Sequence, residues 1–268
     1  MEPRKPYPTD LTDREWTLIA PYVPRAKRGG RPEHYPKREI LNGIFYIVRG
    51  GGAWRILPHD FPPWQIVYHY FWIWRQDGTW PLMHDLLRGD VRVATGKRRQ
   101  PSAGIIDSQS VKTTEKRGIR GFDAHKQIKG RKRHILVDTL GLLLTVVVTA
   151  ANVQDRDGAK LLLEVLRHRF SRLRLIWADQ AYAGALLTWV WTLRPRRKVC
   201  LEIVKRPKGI KGFQVLPWRW IVERTFGWWG RYRRLSKDYE YLPQTSEAMI
   251  RVAMIHLMVR RLARLTCF

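Results

Sequence analysis

Cysteine is scarce in this chain: two residues, Cys200 and Cys267, among 268. Two thiols at that separation make neither a disulfide framework nor a zinc knuckle. Acid is scarce as well. Asp and Glu number 23 against 50 Lys and Arg, a formal charge of +27 that is spread over the whole chain. Such an excess points to a polyanionic partner, nucleic acid first and an anionic membrane second. Long apolar runs are missing. The longest, Leu140 to Val153, is too short to span a bilayer, and its β-branched residues suggest a strand. The opening residues, MEPRKPYPTD, contain no apolar signal core. There is no internal repeat and no low-complexity tract. What remains suits a soluble protein of the reducing cytoplasm that does not use a membrane.

The chain is not short of core-forming residues. It is 44% hydrophobic and 12% aromatic, enough for one large or two modest domains. Residues 1–95 read as helical. Thr12 is a plausible N-cap with Glu15 as its capping-box partner. A basic connector, RAKRGGRPEHYP, leads to KREILNGIFYIVRGG, a helix that stops at its glycines. The prolines of LPHDFPPW make a turn, WQIVYHYFWIWRQDG is a third helix, and a fourth is expected from Trp80 to Val93. Short helices, tight turns and a basic surface resemble a helix-turn-helix arrangement, so this part is expected to bind DNA. TGKRRQPSAG, residues 95–104, reads as a linker, which sets a boundary between residues 1–95 and 96–268.

Beyond the linker the pattern changes. Gly104–Asp107 is a short apolar run ending in an acid. Arg131–Leu144 and Thr145–Ala151 read as two strands joined by a turn near Thr139–Gly141. An amphipathic helix follows over Asp157–Phe170. Arg174–Asp179 is a second apolar run ending in an acid. A helix over Gly184–Arg194, a strand over Val199–Lys205 and two more helices complete the order β-β-β-α-β-α-β-α-α. This is an α/β fold, a mixed sheet with helices packed on it.

The first of the two late helices is expected to run unbroken from Pro217 to Glu240, with Trp220, Val222, Phe226, Trp229 and Tyr232 near helical spacing. Its single central acid, Glu223, lies among Arg219, Arg224, Arg231, Arg233, Arg234 and Lys237. Arg219 and Gly227 share its face as i−4 and i+4 neighbours. Gly227 and Gly230 each cost about 1 kcal/mol of helix stability relative to alanine and leave room for a close approach. Taken alone, Glu223 reads first as a surface ion pair with Arg219 and second as a metal ligand facing a nucleic-acid backbone. Offsets of −4, +8 and +11 place Arg219, Arg231 and Arg234 on one side with it.

Asp107 and Asp179, each ending a strand, and Glu223 on the late helix are the candidate catalytic and metal-binding carboxylates. Reactive groups gather at strand ends in α/β sheets. Three carboxylates can hold hard divalent ions that keep positions open for water and phosphate. Two such ions stabilise the attacking and leaving oxygens of a phosphoryl displacement. The alternatives are structural: Asp107 as a turn residue, Asp179 as a helix cap. Asp123, Asp138, Asp155 and Asp157 rank lower because none ends a central apolar strand. Among the surrounding bases, Lys112, Lys129, Arg131 and Lys132 are expected to hold DNA phosphates. His125 and His134 could suggest a metal pair, which an oxygen-ligand site does not need.

The strand order with these acids resembles an RNase H-like core. IIDSQSVKTT, KGRKRHILVDTLGLLL, ANVQDRDGA, WADQAYAG, WIVERTFGWWGRYRRLSKDYE and TSEAMIRVAMIHLMVRRL together resemble a bacterial DDE transposase of the insertion-sequence-five family, within the wider insertion-sequence-four group. LTDREWTLIAPYVP and the helical segments after it resemble that family's N-terminal domain, so the likeness covers nearly the whole chain. It implies that Asp107, Asp179 and Glu223 are the catalytic triad, and that Arg219 and either Arg231 or Arg234 contact DNA. The wider group often shows a tyrosine seven residues before the Glu, where this chain has Leu216, and a lysine seven after, where it has Gly230 beside Arg231. The resemblance further implies Mg²⁺, with Mn²⁺ able to substitute, and double-stranded DNA as partner, both element ends and target. It implies a homodimer or larger synaptic assembly and a place at the nucleoid. The expected activity is cutting at the element's ends and joining the 3′-hydroxyls to target DNA. The competing classes are an inactive DNA-binding derivative and an RNase H-like nuclease.

Overall fold

The computed structural model describes residues 4–25, 34–115, 118–165, 169–193, 199–204 and 218–266. Residues 26–33 of the basic connector, the Leu216 position and Cys267 lie outside the described residues. The chain divides into two compact units. One comprises Met1–Lys97, Arg231–Ser236 and Ala248–Phe268, the other Arg98–Gly230 and Lys237–Glu247.

The first unit is helical. Helix α1 (Asp13–Ile19) starts at the expected capping box: the Thr12 side chain accepts from the Glu15 N–H, and the Glu15 carboxylate accepts from the Thr12 N–H. Helix α2 (Lys37–Gly50) buries Ile40, Leu41, Ile44, Phe45 and Val48 along one stripe. It ends at Gly51, whose φ of +84° is the left-handed cap that glycine adopts freely. A Cβ there would also meet the Arg233 Cβ at 2.8 Å. Helices α3 (Trp64–Gln76) and α4 (Thr79–Ala94) follow. The buried Trp80 donates its indole N–H to the Phe71 carbonyl at 3.0 Å, so a large apolar ring enters the core without an orphaned donor. His256, in the last helix, lies stacked on Phe45 with ring centroids 4.5 Å apart and edge-on to Tyr232.

The second unit carries a six-stranded mixed sheet: β1 (Ala103–Lys112), β2 (Gly121–Asp123), β3 (Ile128–Asp138), β4 (Leu143–Ala150), β5 (Leu175–Ala178) and β6 (Cys200–Ile203). β3 pairs antiparallel with β1, β2 and β4, and β5 pairs parallel with β1 and β6. With helices α5 (Asp155–Glu164), α6 (Ala185–Leu193) and α7 (Arg219–Gly230), this is the RNase H-like arrangement. The sequence order omitted one element, the three-residue β2, which is too short to show a period. Ile106, Leu136 and Leu144 of the sheet pack with Ala159 and Leu162 of α5 and with Leu186 and Val190 of α6. Gly158 lets α5 approach closely, because a Cβ there would lie 2.0 Å from Cε1 of His134. The expected turn between β3 and β4 forms over 139–142. Asp138 closes it by accepting from the N–H groups of Leu140 and Leu142. Helix α8 (Pro243–Leu265) is the last element among the described residues. No helix among the described residues is long and apolar enough to cross a membrane.

Two expectations are corrected here. The helix expected over 217–240 is α7, which stops at Gly230. Gly227 and Gly230 weaken its last turn, and Tyr232 is extended (φ −106°, ψ 100°) before a 3-10 turn at Arg233–Leu235. The buried face of α7 is Ile221, Val222, Thr225 and Trp229, whereas Trp220 is exposed. Arg224 covers Trp220 and Trp228, at 4.6 and 5.0 Å from their ring centroids. The first strand also does not end at Asp107, because SQSVK continues β1 in register with β3 as far as Lys112↔Gly130.

Burial lowers the pKa of His256 to about 3, helped by the nearby charges of Arg260 and Arg49. A depressed imidazole pKa means that folding favours the neutral form. Its contribution is intact above the unfolded value of 6.5 and is lost as pH falls below it. Between pH 7 and pH 5 this single group is expected to remove about 2 kcal/mol of stability. Urea unfolding of the native chain and of His256→Gln at both pH values measures it. Equal losses in the two proteins would refute the assignment.

Candidate active site

The parallel pairing of β1 with β5 aligns Ile105 with Trp177. Two residues further on stand Asp107, within β1, and Asp179, just past β5, so the register sets the two acids side by side. Asp107 lies within β1 and accepts from the Ser108 N–H at 2.7 Å. Burial raises its pKa to about 6. The Ser108 bond opposes that rise, the charge of Asp179 adds to it, and Arg219 and Lys126 lower it. Asp179 follows β5 and caps the 3-10 turn at Gln180–Tyr182, accepting from the Ala181 N–H at 2.9 Å. The capping role foreseen as an alternative is thus present, and it leaves Asp179 Oδ2 near Arg219.

Arg219, the first residue of α7, spans the two acids. Its Nη2 lies 3.9 Å from Asp107 Oδ2 and 3.6 Å from Asp179 Oδ2. The residue before it, Trp218, has a φ of +67°, unusual for a side chain of that size. Its ring stacks on Trp177 of β5 at 4.6 Å and 8°. That stack fixes the start of α7 beside the strand end that leads into Asp179. A strained backbone held by packing next to reactive groups is a common feature of functional sites.

The donor set suits a hard divalent cation. Two carboxylate oxygens already share one cationic centre, the Arg219 guanidinium, and oxygen is the ligand such ions prefer. Glu223 is exposed on α7. Among the described residues no three His, Cys, Asp or Glu side chains are grouped closely enough to hold an ion. The structure therefore brings Asp107 and Asp179 together and does not add Glu223 to them.

The expected phosphate-binding bases separate into two groups. Lys112, Lys129 and Arg231 are exposed. Arg131, Lys132 and Arg234 are buried, which corrects the expectation that they face DNA. Arg131 donates to the Ile119, Glu240 and Tyr241 carbonyls, to Ser246 Oγ and to Asp238, with which it pairs at 3.1 Å. Lys132 lies 3.4 Å from Asp123 and 3.2 Å from Asp155. Arg234 donates to the Gly52 carbonyl at 3.0 Å. Because α7 ends at Gly230, helical offsets from Glu223 do not apply to Arg231 or Arg234.

Sequence reasoning missed the polar layer behind Asp107. Ser108 donates to Asp155 at 2.7 Å and Ser110 to Asp123 at 2.5 Å, both from the face of β1 opposite Asp107. Burial raises the Asp123 pKa, but Ser110, the Lys126 N–H and Lys132 outweigh it and hold the group at about 2. Tyr182 was also missed. It is buried, and its pKa is pushed well above 10 by burial and then by the charges of Asp107, Asp155 and Asp179. Its place three residues after Asp179, in WADQAYAG, was the available signal. His125 is exposed. His134 is buried, its pKa lowered to about 4 by burial against the pull of Asp155. Its Nε2 shares a 3.0 Å hydrogen bond with Thr149 Oγ1, a structural position.

Comparison with known proteins identifies the family. The family model described as "Transposase DDE domain" matches residues 98–258. A second, "Putative transposase of IS4/5 family", matches residues 11–84. The chain is similar to the "Putative transposase for insertion sequence element IS402" of Burkholderia cepacia, 28% identical over 163 residues that cover 57% of this chain and 70% of that protein. It is also similar to the "Insertion element IS402 uncharacterized 16.2 kDa protein" of the same organism, 30% identical over 108 residues, 38% of this chain and 72% of that one.

The Arg131–Asp238 pair has side chains exposed by only 2% and 0%. Removing one partner of such a pair leaves a buried charge unbalanced. Asp238→Asn is expected to cost about 3–5 kcal/mol of stability, and Lys129→Ala, on the surface, less than about 0.5 kcal/mol. Denaturant midpoints measure both. A mild Asp238→Asn would show that Arg131 is not held as described.

Proposed function

The chain belongs to the transposase DDE domain family, and within it we propose that Asp107, Asp179 and Glu223 cut DNA at the ends of an insertion sequence and pass the freed 3′-hydroxyls to target DNA. The observation that carries this reading is the neighbouring pair of acids, Asp107 and Asp179, spanned by the Arg219 guanidinium. The protein is a transposase, it acts on DNA, and its family works with divalent metal ions. The finer assignment to Mg²⁺, with Mn²⁺ as substitute, is part of the proposal.

When bound, such an ion supplies charge neutralisation at the phosphodiester and a lowered pKa for bound water. The residues of the chain do the rest. Asp107 in β1 and Asp179 just past β5 would present oxygens to the ion, and Glu223, which the structure does not group with them, would supply the third carboxylate from α7, four residues after Arg219. Burial penalises the charged form of the Asp107 carboxylate, and a cation beside it would offset that penalty. Arg219 and the exposed Lys112, Lys129 and Arg231 lie among a formal charge of +27, which attracts and orients the phosphate backbone. The helical residues 1–95 are assigned the terminal repeats, and 96–268 the chemistry. Two element ends must be handled together, so the working form is a dimer or larger synaptic assembly.

Asp107→Asn, Asp179→Asn and Glu223→Gln are each expected to abolish divalent-metal-dependent cleavage and 3′-end joining, a loss of at least about 100-fold. DNA affinity should hold or rise slightly, since a negative charge is removed beside phosphate. Gel assays of end cleavage, strand joining and DNA retention read all three. Cleavage at the native rate by any one variant removes that residue from the site. Cleavage without joining by the native protein would make it a nuclease.

A further inference from the structure

We propose that Arg219 is an exchangeable counter-ion, held by Asp107 and Asp179 and transferred to a DNA phosphate, so that DNA and divalent cation bind cooperatively. This rests on the assignment of the two aspartates as metal ligands.

Three observations support it. The first is distance. Nη2 lies 3.9 and 3.6 Å from the carboxylate oxygens, longer than the roughly 2.7–2.9 Å of a charge-assisted hydrogen bond. The contact is an electrostatic pairing without close bonds, and it is weak enough to give up. The second is access. The side chain of Arg219 is 26% exposed and those of Asp107 and Asp179 are 17% and 25% exposed. By contrast, Arg131 is exposed by 1% and serves five acceptors. One arginine is a fixed strut, and the other can swing. The third is position. Arg219 is the first residue of a twelve-residue helix, where backbone N–H groups and the helix dipole favour phosphate. Trp218, stacked on Trp177, anchors the backbone while the side chain moves.

The oxygens that would take a divalent ion are the ones Arg219 now neutralises. Two cations cannot share them without repulsion, so each competes with the other. A phosphate that draws the guanidinium away removes the competitor and leaves two like charges in need of a cation. By reciprocity, a bound ion releases Arg219 and strengthens DNA binding by the same factor. The coupling keeps the ion weakly held until substrate is present.

The test is Mn²⁺ binding to the full chain, read from the electron paramagnetic resonance of free Mn²⁺, with and without duplex DNA and against DNA alone. Native protein is expected to bind Mn²⁺ about 5- to 150-fold more tightly with DNA. Arg219→Gln should bind Mn²⁺ more tightly than native protein without DNA, and gain little on adding it. Arg219→Lys, which keeps the charge, should behave as the native chain does. Unchanged or weaker Mn²⁺ binding by Arg219→Gln without DNA would overturn the proposal, because Arg219 would then only steady the acids. If that variant does not fold, native affinity that is indifferent to DNA overturns it equally. Mn²⁺ binding that survives both Asp107→Asn and Asp179→Asn is a different failure, that of the site assignment itself.

Discussion

The antiparallel register of β1 on β3, from Gly104↔Asp138 to Lys112↔Gly130, is the constraint on which the rest of the second unit depends. Side chains alternate along a strand, so one register decides what each face carries. On one face it sets Ser108 opposite His134 and Ser110 opposite Lys132, beneath Asp155 and Asp123. On the other it sets Asp107, with Gln109 accepting from Arg133 at 3.3 Å. A slip of one residue would send Asp107 into the layer that packs on α5 and turn Ser108 toward Arg219. The reactive carboxylate and the buried polar layer are two sides of one pairing.

The shortage of acid gives that pairing its economy. With 23 acids for 50 bases, several acids are committed to bases inside the fold. Asp238 holds Arg131, and Asp123 and Asp155 hold Lys132. Buried bases of this kind lose their hydration and require a partner. Asp107 and Asp179 share one arginine between them. Their pairing is looser than that of Asp238, as a site that must accept a new cation requires.

Much of this was legible in the residues. The Thr12–Glu15 capping box, the stop after Gly50 and the turn after Asp138 follow from local chemistry, and they form where the sequence places them. Asp107 and Asp179 were legible because each follows an apolar run that becomes a central strand. The end of α7 was not, because apolar spacing continues to Tyr232 while the backbone leaves the helix after Gly230. Arg131 and Lys132 were not legible either: a charged residue in a strand reads as solvated until the partner that buries it is known, and for Arg131 that partner, Asp238, is more than a hundred positions away. The Trp177–Trp218 stack joins two segments that no local pattern connects.

Gly158 and His134 show how packing of this kind constrains descent. Since Cε1 of the imidazole lies close to where a Cβ at 158 would go, position 158 is not free to vary alone. Alanine at 158 demands a smaller residue at 134, and that change would empty space under α5 and leave Thr149 Oγ1 without its imidazole partner. A substitution at 158 should therefore arrive among relatives with one at 134, or not at all. A lineage that crossed from one combination to the other would pass through a less stable intermediate, with the helix displaced from the sheet behind Asp107.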